Sequence, residues 1–131
     1  LIRVMEKYDL EFVTTNRFYK YHPEAWSKAK FFGNKVLSLA FRTLFGPRIK
    51  DCQSGMWVIK RNFLKRVSFF SEGMEFSVEI KALALKEAGE KFLEVPIYYN
   101  KRLSHSVKLR MFRDFIRNFL CILLMRIKLA L

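Results

Sequence analysis

The feature that most constrains this chain is an alternation of short β-prone apolar runs with long stretches of helical periodicity. Between Glu24 and Phe45, the apolar residues Phe32, Val36, Leu39, Ala40 and Leu44 recur at helical intervals, and Phe76, Ile80, Leu83 and Ala84 do so between Glu75 and Ala88. Leu10–Thr15, Met56–Ile59 and Phe92–Tyr99 are rich in β-branched and aromatic residues and read as strands. A chain of 131 residues has room for one such core, so the alternation predicts a single α/β unit.

Glycine and proline supply the punctuation. Gly46-Pro47 stops the first long helix, Gly89 caps the second, Pro96 pushes its strand toward a sheet edge or a bulge, and Pro23 is placed at a helix N1 position. Short helices are predicted at Leu1–Tyr8 and Asn62–Val67, and a polar, aromatic loop at Asn16–His22. A basic, hydroxyl-rich loop covers Lys101–Lys108 and a final helix Leu109–Leu131.

Charge narrows the partners. Lys and Arg number 25 against 12 Asp and Glu, a net +13 that attracts phosphorylated substrates, anionic lipid or nucleic acid. The aromatic residues, 16% of the chain, fall mainly at core positions of helices and strands rather than on one basic face, which argues against nucleic acid. Cys52 and Cys121 have neither zinc-ligand nor disulfide-framework spacing.

Chemistry concentrates in Asp51-Cys52-Gln53-Ser54-Gly55-Met56, between a Gly-Pro turn and a strand. A carboxylate at a strand edge can accept a proton or hold a metal-bound water, with Gln53 and Ser54 in support and Gly55 letting a substrate approach the backbone. An Asx-type turn that caps the strand accounts for the same residues.

Asn16-Arg17, Phe32-Gly33-Asn34, Asp51 with Gln53-Ser54-Gly55, Glu75-Phe76 with Glu79, Glu94-Val95-Pro96-Ile97 and Arg102 follow one another in an order and spacing that resembles the family-2 glycosyltransferases, especially the dolichyl- or polyprenyl-phosphate mannose and glucose synthases. The resemblance implies the acceptor-side, C-terminal part of a GT-A Rossmann-like fold over residues 1–108, followed by a basic amphipathic helix over 109–131. It implies transfer of a hexose from a GDP- or UDP-sugar donor to a polyprenyl phosphate, with inversion, at the cytoplasmic face of a membrane. A second reading keeps the fold and places a glycan hydroxyl as acceptor.

Under the resemblance, Asp51 and Glu79 are the catalytic candidates, and Arg17, Lys28, Lys30, Arg102 and Lys108 bind the acceptor phosphate. Each cation taken alone also fits a solvated surface charge, and Glu79 also fits an ordinary helix face with Lys81 and Lys86 nearby. The chain departs from the family pattern after the last strand, where Ser104 replaces a glycine and Val107 stands at the usual lysine position, with Lys108 next to it. It also contains no Asp-x-Asp, the motif that in this family holds Mg2+ or Mn2+ beside the donor, so the chain is expected to be a piece that binds no divalent cation and is inactive alone.

The final helix has no uncharged stretch longer than Asn118–Met125, far below the ~20 residues of a membrane span. Arg110, Arg113 and Arg117 form a basic stripe beside Phe112, Phe115, Ile116, Phe119, Leu120 and Leu123. That pattern suits a helix lying in an anionic membrane interface, or one packed on an N-terminal half expected to lie outside this chain or in an oligomer.

Overall fold

The computed structural model of the chain describes residues 1–101 and 111–130. Its α-helices are α1 (Ile2–Lys7), α2 (Lys28–Phe45), α3 (Arg61–Leu64), α4 (Phe76–Glu87) and α5 (Met111–Ala130), and its strands β1 (Phe12–Tyr21), β2 (Trp57–Ile59) and β3 (Phe92–Tyr99). The strands form one mixed sheet in the order β2-β1-β3, with β1 antiparallel to β2 and parallel to β3. The α/β expectation is met by this small sheet and its helices.

β1 is longer than the sequence suggests. Asn16–Tyr21, expected as a loop, continues the strand, because Lys20 and Tyr21 pair with Tyr98 and Tyr99 after a break in register that follows Asn16. The break lies opposite Pro96, which has no N–H to give to the ladder. α2 in turn begins later than expected, at Lys28. Pro23 lies four residues before the N-cap Ser27, whose hydroxyl accepts the Lys30 N–H at 3.2 Å. The intervening turn is held by the ring of Trp26, stacked on Phe18 and packed against Phe31 and Tyr99.

The main core lies between the sheet and α2, α4 and α5. Phe12 is fully buried at its centre, its ring 5.4 Å from Phe92, 5.6 Å from Phe63 and 6.2 Å from Trp57. α5 contributes Cys121, Ile122 and Met125 to this same core. A smaller cluster of Met5, Leu10 and Val13 fixes α1 beneath β1.

α4 departs from the amphipathic expectation, since every residue from Val78 to Ala84 is buried, Glu79 and Lys81 included. Its end is as predicted: Gly89 takes the left-handed conformation, φ 56°, directly after the cap residue Ala88.

Replacing Phe12 by Ala should cost about 3 to 5 kcal/mol, because the cavity is enclosed by three other rings. Urea unfolding followed by tryptophan fluorescence measures this, and a loss under about 1 kcal/mol would show that the site collapses around the gap.

Candidate functional site

Asp51 sits midway along the segment linking α2 to β2 and is fully buried. Its Oδ2 accepts the backbone N–H of Arg17 at 3.0 Å and Arg17 Nε at 2.7 Å, and its Oδ1 accepts Arg17 Nη2 at 2.9 Å and the Gln53 N–H at 3.3 Å. The pair is thus a two-pronged guanidinium–carboxylate contact reinforced by two backbone donors. Burial opposes ionisation of Asp51, but the hydrogen bonds and charge of Arg17 outweigh it and hold the carboxyl below the ordinary aspartate range. Burial likewise opposes the charge on Arg17, and Asp51 more than restores it.

The turn carrying Asp51 is fastened by two charged side chains that sequence reasoning did not assign, one buried and one half-buried. Lys81, fully buried on α4, donates from Nζ to the carbonyl of Asp51 at 3.1 Å and to that of Ser54 at 2.6 Å. Burial pushes its amine down to about 8 despite the neighbouring Asp51. On the other side, the carboxylate of Glu94 on β3 accepts the N–H groups of Lys50 and Asp51 at 2.9 to 3.0 Å, and burial raises its pKa. The available signal was weak: Lys81 lies two residues from Glu79 and reads as part of an ordinary charged helix face.

The supporting residues meet here as well. Ser54 is buried and shares a hydrogen bond with Thr15 on β1, while Gln53 Nε2 donates to Asn118 Oδ1 on α5 at 3.1 Å. Gly55 borders open space, so packing sets no requirement for glycine there.

The Arg17 guanidinium also donates to Asn34 Oδ1 at 3.3 Å, and Asn34 in turn donates to the Lys30 carbonyl at 2.8 Å. This ties the pair to the first turns of α2, where Lys28 is exposed and Lys30 half-buried. The guanidinium carbon lies 4.8 Å from the ring centre of Trp26 and 5.4 Å from that of Tyr99. Beside it, the buried indole N–H of Trp26 has no acceptor among the described residues.

Other expected site residues are placed apart from this centre. Glu79 is fully buried, and its two carboxylate oxygens accept the N–H groups of Phe70 and Ser71, each at 2.9 Å, which pins the segment before α4 onto the helix. On α5 Arg113 is exposed, whereas Arg117 is ion-paired with Glu75 at 3.0 Å. Arg102, Lys108 and Arg110 lie outside the described residues.

The residues present do not fit a divalent-ion site. Both oxygens of Asp51 are already engaged by N–H donors, and no group of three His, Cys, Asp or Glu gathers at metal-binding distance among the described residues.

Over 73 residues, 53% of this chain, the sequence is 36% identical to the low-salt glycan biosynthesis hexosyltransferase Agl6 of Haloferax volcanii. The relation is to a glycosyltransferase. It is distant and partial, and the chain spans 17% of that enzyme's length. No family model and no solved structure matches the chain.

Replacing Asp51 by Asn should destabilise the fold by about 3 kcal/mol at neutral pH, because it leaves Arg17 charged and enclosed without its counter-ion. Since the Asp51 pKa is lowered in the folded state, this contribution is present above pH ~4 and is lost as pH falls through the folded value. Urea titrations of both proteins should therefore show a difference that is constant between pH 5 and about pH 7 and shrinks in acid. A difference that does not change with pH would mean that the charge of Asp51 is not what holds Arg17.

Proposed function

We propose that the chain forms the acceptor-side part of a membrane-associated hexosyltransferase of GT-A type that moves a hexose from a nucleotide sugar to a polyprenyl phosphate. The hexosyltransferase class rests on the partial likeness to the Haloferax enzyme. The choice of a phosphate acceptor over a glycan hydroxyl rests on one observation, the saturation of Asp51. A hydroxyl nucleophile needs a base, and a carboxylate already holding four N–H donors with a lowered pKa is a poor one. A phosphate monoester arrives as an anion and needs no base.

In this reading, Asp51 acts by fixing Arg17 against Trp26 and Tyr99, with Lys28 and Lys30 adding positive charge at the start of α2. The phosphate oxygen attacks the anomeric carbon as the nucleoside diphosphate departs from the opposite face, which inverts the configuration. A divalent ion serving the leaving group would take its ligands from outside this chain. The exposed Phe112, Ile116, Leu120, Leu124 and Ile127 of α5, with Arg113 nearby, suit contact with an anionic membrane surface that presents the lipid. No described helix is long and apolar enough to cross a membrane.

Calorimetric titration of the chain tests this with a short, soluble isoprenyl phosphate and with GDP- and UDP-sugars as separate ligands. The isoprenyl phosphate should bind and the nucleotide sugars should not. Arg17→Lys, which keeps the charge but loses the fork, should weaken the isoprenyl phosphate by about tenfold. Binding of a nucleotide sugar with no binding of the isoprenyl phosphate would refute the acceptor-side assignment.

A further inference from the structure

A second basic feature lies beside the Arg17–Asp51 pair but shares no residue with it. An open cleft of about 510 Å³ runs between β1, α2 and the segment after α2, lined by Asn16, Phe18, Tyr19, Lys35, Ser38, Leu39, Arg42 and Lys50. Three of these are cations and none is acidic. Lys35 and Arg42 are seven residues apart on α2, two turns along one face, roughly 10 Å in rise. Lys50 approaches from the linking segment, where its backbone N–H is fixed by Glu94 at 2.9 Å.

None of the three cations is paired with an acid among the described residues, and one is set against a ring. Lys35 Nζ lies 4.3 Å from the ring centre of Phe18. Among the described residues neither Arg42 nor Lys50 makes an ion pair, and the segment 102–110 contains no Asp or Glu to supply one. Asn16 adds a donor, since its Oδ1 accepts the Phe18 N–H at 2.9 Å while its amide N–H2 has no acceptor among the described residues. A concave wall carrying one sign of charge focuses the field and draws in an anion of opposite charge. Phosphate matches the donor set: it offers several acceptor oxygens at a spacing that ammonium groups, a guanidinium and an amide can share.

We propose that this cleft binds phosphate groups, with Lys35, Arg42 and Lys50 as its cationic ligands and Asn16 as a neutral donor. The rings of Phe18 and Tyr19 and the side chain of Leu39 form an apolar flank, so both a diffusible diphosphate and a phospholipid head group fit the chemistry. This site does not depend on the hexosyltransferase reading, and it stands or falls on its own residues.

The test uses two probes on the whole chain: inorganic pyrophosphate by calorimetry, and phosphatidylcholine vesicles with and without phosphatidic acid by flotation. A variant carrying Lys35→Gln, Arg42→Gln and Lys50→Gln is compared with a charge-matched control carrying Lys7→Gln, Lys65→Gln and Lys86→Gln, with circular dichroism confirming that both fold. The cleft variant should bind at least one probe about tenfold or more weaker than the control does. A loss seen with pyrophosphate assigns a diffusible phosphate, and one seen only with phosphatidic acid vesicles assigns a head group. An equal loss in both variants, wild-type affinity in the cleft variant, or no binding of either probe overturns the proposal.

Discussion

The structure depends on a balance of four buried or half-buried charges around one turn. Asp51 and Glu94 supply the negative charge, Arg17 and Lys81 the positive, and the Asp51–Ser54 backbone lies among them. Any one of these groups alone inside a protein would carry a desolvation penalty of several kcal/mol. Arg17 and Asp51 satisfy each other, while Glu94 and Lys81 bond backbone N–H and C=O groups of the turn. The direction of each shift reflects this. Asp51 is driven toward its charged form by a direct partner, while Lys81, which reaches only carbonyl oxygens, is driven toward its neutral form by burial.

That balance explains which parts of the site were legible in the sequence. Asp51, Gln53 and Ser54 stood out because a carboxylate, an amide and a hydroxyl between a Gly-Pro turn and a strand form a local pattern, and the structure gathers all three. Arg17 was picked out by resemblance, and its contact with Asp51 required a fold to bring the two together. Lys81 and Glu94 act through backbone atoms of a distant segment, and neither carries a local mark of that role. The helical spacing of α4 suggested one buried face, but the Asp51–Ser54 turn and the Phe70–Ser71 segment close over its middle, so Glu79 and Lys81 are buried while Lys86 and Glu87 stay exposed.

The fold was legible where punctuation was strong and obscure where tertiary pairing decided. Gly89, Gly46 and the β3 run behaved as their local chemistry requires. Asn16–Tyr21 looked like a loop because its residues alternate no simple apolar face, yet pairing with the end of β3 keeps it extended. α5 packs Cys121, Ile122 and Met125 into this chain's own core, which neither reading of its sequence included, while Phe112, Leu120, Leu124 and Ile127 remain exposed. Its basic stripe is only partly open, since Arg117 is held by Glu75.

The ties on the Asp51 turn come from far along the chain: 34 residues to Arg17, 43 to Glu94 and 30 to Lys81. Each contact closes a long loop before it contributes anything, so none can form early by local preference. The parallel pairing of β1 with β3 carries the same topological delay. Folding therefore leaves this turn until β1, α4 and β3 have met, and a nascent chain that has not yet released β3 lacks one wall of the site.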